Sequence, residues 1–156
     1  SEHPLHAAAL SGSLSLMHWA NGFVGIPHVR GGRSVEGADC WGIGVLAYRA
    51  RANIELKLYD DTDAHDERGI AGAVEAERRS GLWVPVVGDC CDLDVVEMWS
   101  RVLTSSGERR LMRVHVGFFV APDRILHSEA GTDCVCVPKA SLERRIAAIW
   151  RHRDLA

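Results

Sequence analysis

The feature that most constrains this chain is a cysteine at the junction of a turn-rich loop and a small, apolar segment. Residues 26–34 contain a proline and two adjacent glycines, whereas residues 42–52 are rich in alanine, glycine and branched side chains. This change of pattern predicts a buried helix that begins near Cys40. Gly44 and Ala47 share its inner face and are small enough for the helix to lie close on a sheet.

This position bears on the acidity of the Cys40 thiol. Unpaired backbone N–H groups and the positive end of the helix dipole meet at the start of a helix. Both favour the thiolate, and such positions lower a cysteine pKa from about 8.5 to roughly 3.5–7.5. We therefore predict a nucleophile with a lowered pKa, against the alternative of a small core residue. Asp39 is a good N-cap for the helix, although its carboxylate would oppose thiolate formation.

Two histidines follow on predicted strands. Residues 113–120 and 124–127 have strand-like patterns, are separated by a turn at 121–123, and carry His115 and His127. A cysteine nucleophile needs a base, and the base needs a third group to hold its ring. A three-residue loop of residues 120–122 would pair His115 directly with His127, and we predict this register. A two-residue turn would place the two histidines on opposite faces of the sheet. In that alternative they are unrelated strand residues and form no catalytic pair.

The remaining patterns predict a single α+β domain. A length of 156 residues suits one domain, which we place at residues 13–156, preceded by an arm at residues 1–12. Further helices are predicted at residues 13–23 and 66–80 and a helical turn at 138–142, with strands at 82–87, 93–99, 134–137 and 146–150. The acidic composition of residues 59–65 predicts a loop there.

Composition excludes several classes of protein. A net charge of −3 without a lysine or arginine cluster argues against nucleic acid as a partner. No apolar run approaches the roughly 18 residues of a membrane helix, so we expect no membrane insertion. The first residues lack the pattern of a signal peptide. The four other cysteines, Cys90, Cys91, Cys134 and Cys136, match no common metal-ligand spacing, and we expect them reduced, with a four-thiolate metal site as the alternative.

Three motifs in order resemble a known family. The run GIPHVRGGRSVEGADCWG, followed by HVGFF and ILHSEAG, resembles the NlpC/P60 cysteine peptidases, in particular short single-domain versions encoded with phage tail genes. The resemblance covers roughly residues 14–151. It implies a papain-like α+β fold in which N-terminal helices pack on a small antiparallel β-sheet. It also makes Cys40 the nucleophile, His115 the base and His127 the orienting residue, with no metal and no cofactor.

Two positions depart from the family pattern. His28 stands where the family usually has a tyrosine associated with the oxyanion side of the site. Trp41 stands where it usually has a serine which, with the preceding aspartate, contacts the amino end of the substrate in some members. The resemblance therefore places His28, Asp39 and Trp41 at the oxyanion and substrate-binding side, and we expect an altered substrate preference.

The resemblance implies hydrolysis of amide bonds in peptidoglycan stem peptides. It also implies a virion location at a phage tail tip, in contact with other tail-tip proteins, after synthesis in the host cytoplasm. Two alternatives stay open at this point. His28 and Trp41 favour a structural tail-tip protein with the same fold and little activity. An apolar groove beside Cys40 would favour a cellular thiol hydrolase or acyltransferase acting on lipids or small amides.

Overall fold

The computed structural model describes residues 18–59 and 67–156. The predicted arm at residues 1–12, the first part of the predicted helix at residues 13–23 and most of the predicted acidic loop at residues 59–65 lie outside the described residues. At the described end of the first predicted helix, Trp19–Gly22 form a 3-10 helix, with Nδ1 of His18 accepting from the Ala20 N–H. The prediction of an α-helix is therefore wrong for these four residues.

Eight strands are present in the described chain, and their ends differ by a few residues from those predicted. They are β1 (Arg33–Ser34), β2 (Gly37–Ala38), β3 (Trp83–Pro85), β4 (Val95–Leu103), β5 (Arg109–Val120), β6 (Arg124–Glu129), β7 (Thr132–Pro138) and β8 (Ile146–His152). Six of them form one antiparallel sheet in the order β3-β8-β4-β5-β6-β7, and β1 pairs with β2 separately.

Two α-helices accompany the sheet in the described chain. Helix α1 (Cys40–Ala52) begins at the predicted residue, with Asp39 as its N-cap, and ends at Asn53 in the left-handed conformation. Helix α2 (Glu67–Arg79) agrees with the predicted surface helix. A 3-10 helix at Lys139–Arg145 extends the predicted helical turn before β8. Of the helices that the structure describes, none has the length and apolar character needed to cross a membrane.

The main core lies between α1 and one face of the sheet. Ile43, Ala47 and Tyr48 of α1 are fully buried in one cluster with Phe118 of β5 and Leu126 of β6. Burying a large apolar side chain of this kind contributes roughly 1.5–3 kcal/mol. A Cβ on Gly44 would lie 2.1 Å from the Phe118 ring, so only glycine allows α1 this close to the sheet. The predicted close packing of the helix is confirmed.

The β5–β6 hairpin corrects the predicted register. Phe119 pairs with Ile125 and Val120 with Arg124, so the three-residue loop comprises Ala121–Asp123, one position later than predicted. The Ala121 N–H donates to Asp92 Oδ1 at 2.7 Å, which takes Ala121 out of the strand pairing. Direct pairing of the two histidines is therefore wrong, but they are displaced by two positions and still share a face.

Candidate active site

Cys40 is the first residue of α1 and remains partly exposed. Its sulfur accepts hydrogen bonds from the backbone N–H groups of Val116 and Trp41, and both lower the thiol pKa. Burial of the sulfur and the charge of Asp39 outweigh them and raise the pKa to about 12. The predicted lowering of the Cys40 pKa is therefore wrong, because removal from water disfavours the anion more than the helix N-terminus favours it. At neutral pH the group is a thiol.

His115 and His127 meet beneath the same site, as the prediction of a shared face requires. Their side chains are 5% and 4% exposed, and His115 Nε2 lies 2.9 Å from His127 Nδ1. Burial is the largest cause that lowers the pKa of each imidazole. Both rings are therefore neutral at pH 7. Because Nε2 of His115 is engaged by His127, Nδ1 is the nitrogen of His115 that remains for a proton from sulfur.

Glu129 extends this pair. Its Oε2 lies 3.7 Å from His115 Nε2, and its charge raises the His115 pKa against the effect of burial. Both Glu129 oxygens accept from Arg145, at 3.0 and 2.9 Å. Sequence reasoning missed both residues, since Arg145 comes from the 3-10 helix before β8 and its contact depends on the folded sheet.

Among the described residues, no hydrogen bond joins the Cys40 sulfur to an imidazole. Cys40 and His115 instead line one cavity of about 480 Å³. A volume of this size is typical of a small-ligand site. Catalytic hydrogen bonds are often long in ligand-free structures and tighten when substrate binds. The arrangement can therefore transfer a proton from thiol to imidazole once a substrate closes the gap.

Asp39 has its hydrogen-bonding capacity filled within the chain. Its Oδ1 accepts from the Gly42 N–H at 2.9 Å and from Arg33 Nη1 at 2.7 Å, while Oδ2 accepts from the Gly31 N–H at 2.9 Å. The predicted N-cap role is confirmed. The role implied by the resemblance, contact with a substrate amino group, stays a prediction, and it would require Asp39 to give up one of these partners.

His28 and Trp41 also line the cavity. His28 Nδ1 lies 2.9 Å from Ser128 Oγ, and the Ser128 hydroxyl donates to the Ala38 carbonyl. With that hydroxyl donating to Ala38, His28 Nδ1 is the donor in the contact with Ser128. The role of His28 on the oxyanion side stays a prediction. The Trp41 Nε1–H donates to the Lys57 carbonyl at 2.7 Å, so what this side chain adds to the cavity is ring surface.

Glu97 and Trp83 also line the cavity, and neither residue was predicted from the sequence to belong to the site. Glu97 of β4 is 3% exposed, and its carboxylate binds Arg78 of α2 at 2.8 Å, Arg113 of β5 and the Trp150 Nε1–H at 3.2 Å. A charged residue between the buried Val96 and Met98 in a strand-like run was a usable signal for Glu97. Its partners on α2 and β8 had no signal in the sequence.

The described residues contain one group that could hold a metal ion. The ligand atoms of His115, His127 and Glu129 lie within 4.8 Å of one another. Arg145 occupies both oxygens of Glu129 and places a positive charge beside the group, which opposes a bound cation. The four cysteines considered from the sequence form no such cluster in the described chain, and all are unpaired.

Comparison with known proteins shows a similarity in fold to solved structures. No protein-family model matches the sequence, and no curated protein does. Among solved structures, the chain is similar to the crystal structure of the NlpC/p60 domain of the peptidoglycan hydrolase SagA. The sequence identity is 16%, the TM-score is 0.52, and the match covers 85% of this chain and 92% of the SagA chain. At this identity the match establishes an α+β fold like that of an NlpC/p60 domain, which confirms the predicted fold at that level.

Proposed function

We propose that this protein is a cysteine peptidase that hydrolyses amide bonds in peptidoglycan stem peptides. The observation that carries the proposal is that Cys40 and His115 line one cavity. His127 contacts Nε2 of His115 and leaves Nδ1 of that ring for the reaction. The similarity in fold to a domain of a peptidoglycan hydrolase supports the choice of substrate. In this proposal Cys40 is the nucleophile, His115 the base and His127 the positioning residue.

The resting state is a neutral thiol beside a neutral imidazole, and the proposed reaction starts from that pair. The Cys40 proton passes to His115 Nδ1 as the sulfur attacks the amide carbonyl carbon. The Cys40 backbone N–H, at the start of α1 where N–H groups have no partner within the helix, donates to the oxyanion that forms. The C–N bond then breaks, and His115 gives its proton to the leaving amine. Water, deprotonated by His115, releases the acyl group and restores the thiol.

His127 and Glu129 have separate roles in this proposed reaction. For Nδ1 of His115 to accept a proton, Nε2 must carry one and donate it to His127 Nδ1. His127 therefore fixes the tautomer of the base. The Glu129 carboxylate stabilises the imidazolium that forms during attack, in the same direction as its effect on the His115 pKa.

The experiment is digestion of purified peptidoglycan, with released fragments identified by mass. Wild type should cleave the D-γ-glutamyl–diaminopimelate bond suggested by the resemblance, and Cys40→Ala should release nothing. Cys91→Ala is the matched control, because Cys91 is an exposed thiol and does not line the cavity. Identical fragments from wild type and Cys40→Ala, or no fragments from wild type, would reject the peptidase.

The cavity also favours a second candidate, a thiol hydrolase or acyltransferase acting on small apolar amides. Its wall beyond Cys40 includes Trp83, Trp150, Val95 and Val114. Such a wall can take an acyl group as well as a peptide side chain. Cys40-dependent cleavage of a short N-acyl amide, with intact stem peptides left untouched, would favour this candidate over the peptidase.

We also propose the phage tail tip as the setting, where neighbouring tail-tip proteins would be its partners. What supports this is the sequence resemblance to short members encoded with tail genes. Mass spectrometry of purified virions from the source of the sequence should detect the chain at a fixed ratio to tail proteins. Its absence from such particles would reject this location and leave the proposed activity open.

A further inference from the structure

The carboxylates that line the cavity are not equally neutralised. Among the described residues there are four of them, and three are paired with an arginine: Asp39 with Arg33 at 2.7 Å, Glu97 with Arg78 at 2.8 Å and Glu129 with Arg145 at 2.9 Å. The fourth, Glu77 of α2, has no arginine or lysine within ion-pair distance in the described chain. It is the cavity carboxylate whose charge stays unbalanced.

Neutral groups hold Glu77 in place. Its Oε2 accepts from the Tyr59 hydroxyl at 2.6 Å, and its Oε1 accepts from the Trp83 Nε1–H at 3.1 Å. The nearby base is His152, whose ring packs on Trp83 and whose pKa is lowered by burial. His152 is therefore neutral at pH 7 and does not balance the charge. Two neutral donors fix the direction of the carboxylate. Lys57 Nζ lies over the Tyr59 ring, 4.9 Å from its centroid, and forms no ion pair with Glu77 in the part of the chain that the structure describes.

Aromatic rings connect Glu77 with the nucleophile. Trp41, next to Cys40 in the chain, packs edge-on against Tyr59, with ring centroids 6.1 Å apart. Tyr59 and Trp83 both reach Glu77, and all of these residues line the same cavity. Rings around a fixed carboxylate suit a primary ammonium ion, which gains from the charge and from ring faces.

We propose that the cavity binds a primary ammonium group of the substrate at Glu77. This inference rests on the proposed function for the identity of the substrate and adds a specificity-determining residue to it. Asp39 is already bound by Arg33 and two backbone N–H groups, whereas Glu77 lines the cavity and is held by two neutral donors. The ammonium group is either the N-terminal amine of a stem peptide or the distal amine of its diamino acid.

A binding experiment tests Glu77 without catalysis. The full chain carrying Cys40→Ala is titrated with n-hexylammonium and with 1-hexanol, and binding is followed by the fluorescence of the cavity tryptophans. The ammonium should bind roughly tenfold more tightly than the alcohol, as expected for a charged hydrogen bond. Adding Glu77→Gln, which keeps the shape of the side chain, should remove this preference. Adding Glu143→Gln instead removes an exposed carboxylate that pairs with Lys139 and does not line the cavity, so it should leave the preference unchanged.

Equal binding of ammonium and alcohol to the Cys40→Ala chain would overturn the proposal, as would an unchanged preference after Glu77→Gln. Thermal melts of each variant verify that the fold is retained. These outcomes do not depend on peptidase activity, so they are distinguishable from failure of the proposed function.

Kinetics then identify the source of the ammonium. With active enzyme, D-γ-glutamyl–diaminopimelate peptides are compared after acetylation of either the N-terminal amine or the distal amine. Acetylation of the amine that contacts Glu77 should raise KM about tenfold in wild type, with kcat nearly unchanged. The same acetylation should have little effect on KM in Glu77→Gln. If both acetylated peptides behave like the free peptide, Glu77 does not select substrate.

Discussion

Raising the pH from 6 to 10 should change the reactivity of Cys40 in a way that separates the effect of burial from that of helix position. Thiolates react with iodoacetamide and thiols do not, so the alkylation rate follows the thiolate fraction. A helix N-terminus alone predicts a pKa of roughly 3.5–7.5 and a rate that is constant above about pH 8. The buried sulfur, with its pKa raised to about 12, predicts a rate that still rises at pH 10.

The magnitude follows from the raised pKa. Four pH units below a pKa of about 12, about one Cys40 sulfur in ten thousand is a thiolate, so at pH 8 labelling should be slow. The rate should rise about tenfold for each pH unit up to pH 10. The fold disfavours the charged form of this thiol, so the Cys40 pKa is raised. The thiolate therefore forms at a higher pH in the folded chain than in the unfolded chain.

The assay carries its own control. Peptide mass spectrometry after timed labelling reports Cys40 and the exposed Cys91 from the same sample. Cys91 shows how the reagent behaves towards a solvent-exposed thiol of the same chain at each pH. A Cys40 rate that levels off below pH 8 would refute the reasoning, because the helix N-terminus would then outweigh burial. A denatured sample, in which both cysteines should give the same profile, excludes an intrinsic difference between the two peptides.

Three further predictions follow from the same contacts. His127→Ala should lower kcat by roughly 10²–10⁴ with KM little changed, because it frees the tautomer of His115, and a KM effect alone would contradict this role. Gly44→Ala should cost about 1–3 kcal/mol in urea unfolding, since the new Cβ would lie 2.1 Å from the Phe118 ring. Gly72→Ala, with nothing within 4 Å, is its control and should not destabilise. Because burial lowers the pKa of both histidines, the unfolded chain binds more protons below about pH 6.5. Unfolding midpoints should therefore fall as the pH drops from 7 to 5, and a flat profile would show that the two rings are already charged in the fold.

The elements that the sequence predicted correctly are those specified by local contacts. The start of α1 follows from an N-cap and a small apolar run, and Asp39 caps it as expected. The close approach of Gly44 to the sheet follows from side-chain size. The shared face of the two histidines follows from the two-residue period of strands, which survives a register shift of two positions.

The parts that could not be predicted depend on distant residues. The Cys40 pKa is set by burial against the sheet, which no local pattern reveals. The hairpin loop lies one position later than predicted, and its Ala121 N–H is bound by Asp92, which lies outside the hairpin. Glu77 was one of several charges on a predicted surface helix, and its place in the cavity follows from its contacts with Tyr59 and Trp83. Sequence patterns indicate which face of a helix or strand is buried, whereas a functional site depends on which elements come together in the fold.

The charges that line the cavity explain both the neutral resting state of Cys40 and the preference proposed for an ammonium ligand. Arginines neutralise three of its carboxylates, so little positive charge remains to stabilise a thiolate at Cys40 against burial. A neutral thiol beside a neutral imidazole is the expected resting pair. A bound ammonium at Glu77 would balance the one cavity carboxylate that no arginine neutralises among the described residues. A substrate with that group would therefore be bound more tightly, whereas an acetylated substrate would lose this gain in binding with little change in kcat.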